Sequence, residues 1–169
     1  AAESPLALNA SSASVTYSLS GLAASTTYYY RVIATNSAGT TNGLIVSFTT
    51  SAAVSAPTVT SGAASGVTVS AATLNGTVSA NNAATTVTFK YGTVADLSSG
   101  TTTVTAAESP LALNASSASV TYSLSGLAAS TTYYYRVIAT NSAGTTNGLI
   151  VSFTTDRKST RLNSSHITI

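Results

Sequence analysis

The chain has 169 residues, 44% of them hydrophobic and only 6% charged, with no Cys, Met or Trp. The missing cysteines exclude a disulfide framework, a thiol nucleophile and a Cys-based metal site, so a core has to come from Val, Leu, Ile, Tyr and Phe. The formal charge of +2 is no electrostatic footprint for nucleic acid: Arg31, Lys90 and Arg136 balance Glu3, Asp96 and Glu108, and the excess comes from Asp156, Arg157, Lys158 and Arg161, three positive less one negative.

Residues 1–50 recur letter for letter as residues 106–155, a period of 105 residues. A period of that length is a whole domain, not a solenoid unit. The expected organisation is the C-terminal half of a truncated repeat over residues 1–50, a linker over 51–56 and one complete domain over 57–155. Thr and Val dominate together with Ala and Ser, and this composition favours half-buried strands over helices. No apolar run approaches the roughly 18 residues that span a bilayer, so no membrane span is expected in this sequence.

In chain order, Val15, Tyr17 and Leu19 alternate with Thr16, Ser18 and Ser20, a period of two that predicts a strand with one apolar face. Gly21–Thr26 is a turn. Tyr28, Tyr30, Val32 and Ala34 then share one face of a second strand, and Leu44–Thr49 closes the half repeat. Alone, this half lacks the sheet it would pack against and is expected to be poorly ordered or to make substitute contacts. After Pro57 come an edge strand at Thr58–Thr60 and a strand within Val67–Ser79. There Gly76 lies between Leu74 and Val78 on one face and marks a bulge or a close approach. Thr86–Tyr91 directs Val87, Phe89 and Tyr91 inward and Lys90 outward. A polar connection, Gly92–Gly100, leads to a short strand at Thr101–Thr105. The pattern of the first half returns as Ser119–Ser125, Thr132–Thr140 and Leu149–Thr154. About seven short strands, with no helical pattern, predict an all-β fold, a Greek-key sandwich of immunoglobulin type.

The segment GLAASTTYYYRVIATNSAGTT at 126–146, with Leu74-Asn75-Gly76-Thr77-Val78, Phe89-Lys90-Tyr91-Gly92 and the closing Ser152-Phe153-Thr154-Thr155, resembles the fibronectin type III family, in particular its bacterial tandem-repeat variety. The resemblance covers Ala56–Thr155 and, in the first copy, Gly21–Thr50. Ala129 and Ser130 stand where the family commonly has Pro-Gly, and the Trp many members carry is absent. The resemblance implies a tyrosine corner, with Tyr133 over Leu127 in the second copy and Tyr28 over Leu22 in the first. The Tyr133 hydroxyl is expected to find a backbone acceptor. Residues 156–166 resemble something different, the conceptual translation of a common short-read sequencing adapter. The tail 156–169 is therefore excluded from the fold and expected to be an artefactual, disordered appendage.

Reactive chemistry is sparse. Inside the repeat the ionisable groups are Lys90, Asp96, Glu108 and Arg136, and the only carboxylate pair would be Asp96 with Glu108 on loops. No catalytic residue, metal ligand or cofactor is assigned. In the run Tyr133-Tyr134-Tyr135, alternation sends Tyr133 and Tyr135 to the core and Tyr134 to the surface. Tyr134 with Arg136, and Tyr29 with Arg31 in the first copy, are then the candidate surface contacts for a protein or a glycan, together with the 141–148 loop. The expected role is a non-catalytic spacer or stalk repeat in a large secreted or cell-surface bacterial protein, in contact with neighbouring repeats of the same chain. The alternative is an adhesive or carbohydrate-binding module, such as one accessory to a polysaccharide-degrading enzyme.

Overall fold

The computed structural model describes residue 6 and residues 12–158. The strands are β1 (Thr27–Tyr30), β2 (Ile33–Asn36), β3 (Gly39–Asn42), β4 (Val46–Thr49), β5 (Thr58–Ser61), β6 (Ala71–Ser79), β7 (Thr86–Gly92), β8 (Thr102–Thr105), β9 (Ala118–Ser125), β10 (Thr132–Asn141), β11 (Gly144–Asn147) and β12 (Val151–Thr154). The chain divides into two compact units, Ala1–Ala53 and Val54–Ile169. The boundary falls within the stretch 51–56 read as a linker, and both ends of that stretch are tied. Ser51 accepts the N–H of Ser25 in the first unit, and Ser55 donates to Asn81 in the second.

The second unit is a two-sheet, all-antiparallel sandwich. One sheet has the order β5-β6-β9; the other has the order β11-β10-β7-β8, with β12 also pairing β10. The seven expected strands are therefore present, and an eighth, β11, lies in the stretch 141–148 expected as a loop, separated from β12 by a break. The break has a definite cause. Ile138 pairs with Asn147 and Tyr135 with Val151, so three residues of the last strand face two of β10, which is a β-bulge. Gly148 sits in it, donating to the Val137 carbonyl. A Cβ there would come within 2.5 Å of the Ser61 hydroxyl. The Val137 N–H takes Ser61 Oγ as its acceptor at 3.1 Å instead.

Alternation fills the core. Ala72, Leu74 and Val78 from β6, Val87 and Phe89 from β7, Val120 and Leu124 from β9, Tyr135, Val137 and Ala139 from β10, and Phe153 from β12 are all buried. Tyr135 stands at the centre. Its ring packs 6.2 Å from those of both Phe89 and Phe153, and its hydroxyl crosses the sandwich to donate to the Gly62 carbonyl and accept the Asn75 N–H. Burial pushes the phenol above its ordinary value, so it stays a donor at neutral pH.

Gly76 marks a close approach and no bulge: it pairs in register with Ser61 and Val120. A Cβ at this position would lie 2.4 Å from Val137 Cγ2 and 2.9 Å from the Thr60 carbonyl. Leu97 is also buried, at 1% exposure, although it lies in the connection read as polar.

The first unit repeats the sequence of β9 to β12 with a different outcome. Its hairpins β1-β4 and β2-β3 keep the registers of the second copy, including the bulge at Gly43. Residues 15–20, whose twins form β9, are not a strand. The reason is pairing: β9 is held by β6, and the first unit has no such partner among its described residues. For the same reason the counterpart of β10 is interrupted at Arg31-Val32. Those two positions in the second copy pair with Lys90 and Phe89 of β7, while the bulge removes them from the ladder on the other side.

The close approach at Gly76 leads to a direct expectation. Gly76→Ala forces the Val137 side chain and the β5 backbone apart and lowers the stability of the second unit by about 1–3 kcal/mol, as overpacking does. Chemical denaturation followed by tyrosine fluorescence measures it.

Candidate functional site

The outer face of the β11-β10-β7-β8 sheet carries the residues singled out for contact. Because side chains alternate along β10, Tyr134, Arg136 and Ile138 stand opposite to Tyr135, Val137 and Ala139. All three outward residues are half-buried. For Tyr134 this corrects the expectation of an exposed ring. Its twin Tyr29 is 72% exposed, and Arg31 is exposed as well. The difference follows from the neighbours: Tyr134 is flanked by β7 at Gly92 and by β12 at Ser152, whereas Tyr29 has only the β4 side, at Ser47.

Directly across from Arg136 on β7 is Lys90, which in turn pairs with Thr103 of β8. Two like charges in register repel, and such pairs cost stability in an antiparallel ladder. Arg136 Nε is buried without a hydrogen-bond partner. Asp96 and Glu108 are otherwise engaged. Asp96 Oδ1 accepts the Ser98 N–H at 2.9 Å, and the bonds from Ser98, with a smaller contribution from the Lys90 charge, hold its carboxyl below the ordinary value. Glu108 is subject to a desolvation that raises its pKa, but the bonds from the Thr121 N–H (2.7 Å) and hydroxyl (2.8 Å) outweigh this and the net direction is down. Both carboxylates are thus low-pKa structural acceptors, unsuited to general-acid work at neutral pH. Sequence reasoning does not single out Lys90 as a contact residue. Its signal is an outward position in the middle of a strand, but the register that sets it against Arg136 is a tertiary property.

The residues of the expected tyrosine corner come together in the same way in both units. Tyr133 stacks on Phe153 at 5.6 Å, and its hydroxyl accepts the N–H of Ala128 at 3.0 Å. Tyr28 stacks on Phe48 at 5.8 Å and accepts from Ala23 at 2.9 Å. The phenol oxygen is therefore the acceptor in this contact and the backbone the donor, the reverse of the expected polarity. Leu127 and Tyr133 are partly buried against the core, and Leu22 and Tyr28 are half-buried.

The 141–148 stretch is not a simple loop. Gly144–Asn147 is β11, closed onto β10 by a turn in which Asn141 Oδ1 accepts the Ala143 N–H and the Thr140 and Thr145 hydroxyls bond at 2.8 Å. The Asn141 amide donates to the carbonyls of Ser55 and Ala80. At the other end of the sandwich, Asp156 accepts from Ser130 and donates to Thr68 through its backbone. The first residue of the tail excluded from the fold thus completes the turn as Ser51 does in the first unit. Residues 159–169, the rest of that tail, lie outside the described residues.

Among the described residues no group of three His, Cys, Asp or Glu is placed to hold a metal ion, and no helix is long and apolar enough to cross a membrane. Two depressions of about 130 and 230 Å³ lie along β5, β6 and β9, lined mainly by Thr, Ser and Gly with no ionisable side chain. Both are smaller than the roughly 300–1,000 Å³ of small-molecule sites.

No family profile and no curated protein matches the chain. Among solved structures it is similar to the sensor domain of the anti-sigma factor RsgI4 in Pseudobacteroides cellulosolvens, at 18% identity over 63% of this chain and 100% of that one, with a TM-score of 0.47. It is also similar to the fibronectin type-III domain of human fibronectin type III domain containing protein 3 (19% identity, 67% and 98% of the two chains, TM-score 0.43). A third is the chicken CNTN1 FN1-FN3 domains (20% identity, 80% and 43%, TM-score 0.42). The assignment of the fold rests on the sheet order and register above.

The opposed cations yield a stability test. Lys90→Glu replaces a repelling cross-strand pair by an attracting one and stabilises the second unit by about 0.5 kcal/mol, within the range for cross-strand pairs. A thermal melt against the parent at low salt reads it, and the gain shrinks at high salt.

Proposed function

We propose that the second unit is a fibronectin type III module that acts as a non-catalytic spacer in a large secreted or cell-surface bacterial protein, in contact with neighbouring repeats. The observation that carries the reading is where the chain enters and leaves. It enters beside Asn81 and Asn141, through Ser55 and Ala56. It leaves beside Thr68 and Ser130, through Asp156. These points flank opposite ends of β10, whose ten residues span roughly 30 Å. A module with its ends at opposite poles transmits length, and with a linker of residues 51–56 it suits a string of beads. The face carrying Arg136 and Lys90 contains no group poised for acid, base or nucleophilic chemistry.

An array of three and of five 105-residue repeats, measured by small-angle scattering, should lengthen by a constant increment of about 35 Å per repeat. A maximum dimension that hardly grows between the two arrays would contradict a spacer.

A second reading is favoured by one observation, the opposed Arg136 and Lys90 with an unpartnered Arg136 Nε. An adhesive module that takes an acidic glycan or a carboxylate-bearing protein segment would relieve that repulsion, with Tyr134 beside it as a stacking surface. A glycan array should then show acidic ligands bound by the parent and lost in Arg136→Ala; the same signal in both removes this reading.

A further inference from the structure

The sheet edges of the second unit are not protected alike. On β9 the Thr121 N–H and carbonyl are taken by the Glu108 carboxylate and the Ala107 N–H. β5 is tied to β10 through Ser61, and the bulge at Gly148 separates β11 from β12. β8 has no such cover among the described residues. It pairs with β7 alone, Thr102, Thr103 and Thr105 are exposed, and its sequence Thr-Thr-Val-Thr carries no charge or Pro to blunt the edge. Register gives the direction of its free groups. The Ala106 N–H donates to the Val87 carbonyl, one step beyond the pair of Thr105 with Thr88. By antiparallel alternation Thr102 and Val104 then bond to β7, and Thr103 and Thr105 turn their N–H and carbonyl groups to the open edge.

We propose that β8 takes up an extended, acidic protein segment as an added strand of its sheet. The proposal rests on the adhesive reading of the Arg136 and Lys90 face and specifies a protein segment as the ligand. Main-chain bonds to Thr103 and Thr105 supply affinity, and the side chains beside them supply specificity. A residue placed opposite Thr103 lies on the outer face, in one row with Thr103, Lys90 and Arg136. Thr103 and Lys90 form the closer, non-hydrogen-bonded kind of cross-strand pair. Because Thr is short, a Glu carboxylate in the new strand reaches over it to the Lys90 ammonium.

Charge selects this partner over a second copy of β8. The outward positions of β7, β8, β10, β11 and β12 include no acid, and Asp96, in the connection from β7 to β8, is bonded to Ser98. Two β8 edges joined to each other would set Lys90 and Arg136 of both copies on one continuous face with no carboxylate among them. Like charges so arranged cost stability. An acidic strand brings the carboxylate that the opposed pair lacks, whereas a neutral strand gains the main-chain bonds only.

The Thr103 N–H faces away from β7, so Thr103→Pro removes a donor from the open edge and leaves the ladder intact. The probe is a blocked, coumarin-labelled nonapeptide of alternating Thr and Val with a central Glu, titrated with the full chain and followed by fluorescence anisotropy at low salt. We expect saturable binding, about fivefold weaker for the same peptide with Gln at its centre and for Lys90→Gln. Thr103→Pro should weaken it about tenfold or more, with a thermal melt and far-UV circular dichroism matched to the parent. N-methylation of the central Glu removes the facing donor without altering the protein and should weaken binding as much. Binding weakened by Lys90→Gln but undiminished in Thr103→Pro and with the N-methylated peptide overturns strand addition and leaves the adhesive reading standing. Equal affinity for the Glu and Gln peptides overturns the acidic partner. No binding by the parent at about 1 mM overturns the proposal as a whole.

Discussion

The sandwich depends on one side chain that belongs to both of its sheets. Tyr135 is anchored in β10, is fully buried, and packs between Phe89 and Phe153, while its hydroxyl bonds to Gly62 and Asn75 on the opposite sheet. A phenol this deep in a core is tolerable only when its oxygen is satisfied. Satisfying it fixes the distance and the offset between the sheets. Two smaller ties act with it: Ser61 caps the Val137 N–H at the bulge, and the Asn141 amide holds the Ser55 and Ala80 carbonyls. Gly76 then becomes obligatory, because the sheets so fixed leave no room for a Cβ opposite Val137.

The duplicated sequence supplies an internal control for that dependence. Local interactions are the same in both copies: the Tyr28 and Tyr133 corners, the Asn36 and Asn141 turns, and the threonine hydroxyl pairs at 27 and 49 and at 132 and 154 all match. Long-range pairing differs. Without β6 and β7, residues 15–20 remain outside any ladder and the strand through Arg31-Val32 is interrupted. Hairpins are encoded within about 25 residues; the sandwich is encoded by the other half. This division explains why the same fifty letters bury Tyr135 completely and leave Tyr30 half exposed.

Much of the fold is legible in the sequence for a plain reason: each strand is short, alternates with a period of two and ends at Gly, Asn or Ser. That alternation alone places Val87, Phe89, Leu74, Val78 and Tyr135 inward. What cannot be read depends on partners. The start of β6 at Ala71 is set by a turn in which the Ala71 N–H donates to the Thr68 hydroxyl and the Ala71 carbonyl accepts the Thr68 N–H. Leu97 folds inward from a polar connection in a left-handed conformation, with φ of 55°. The strand β11, in a stretch expected as a loop, and its break from β12 show only once Ile138 and Tyr135 are matched to Asn147 and Val151 across the bulge. The candidate contact face shares this limit. Tyr134 and Arg136 are visible as outward residues of one strand, while Lys90 joins them through register alone.

The Tyr135 hydroxyl ties the two sheets of the sandwich together, whereas its twin Tyr30 is 52% exposed in the first unit. Tyr135→Phe and Tyr30→Phe remove the same atom from the same local sequence, so urea denaturation of the two variants tests it most directly. Loss of the Tyr135 hydroxyl takes this partner from the Gly62 carbonyl and the Asn75 N–H and should lower the stability of the second unit by about 1–3 kcal/mol. The Tyr30 variant should match the parent within about 0.5 kcal/mol. Equal effects at the two positions, or none at Tyr135, would contradict the account.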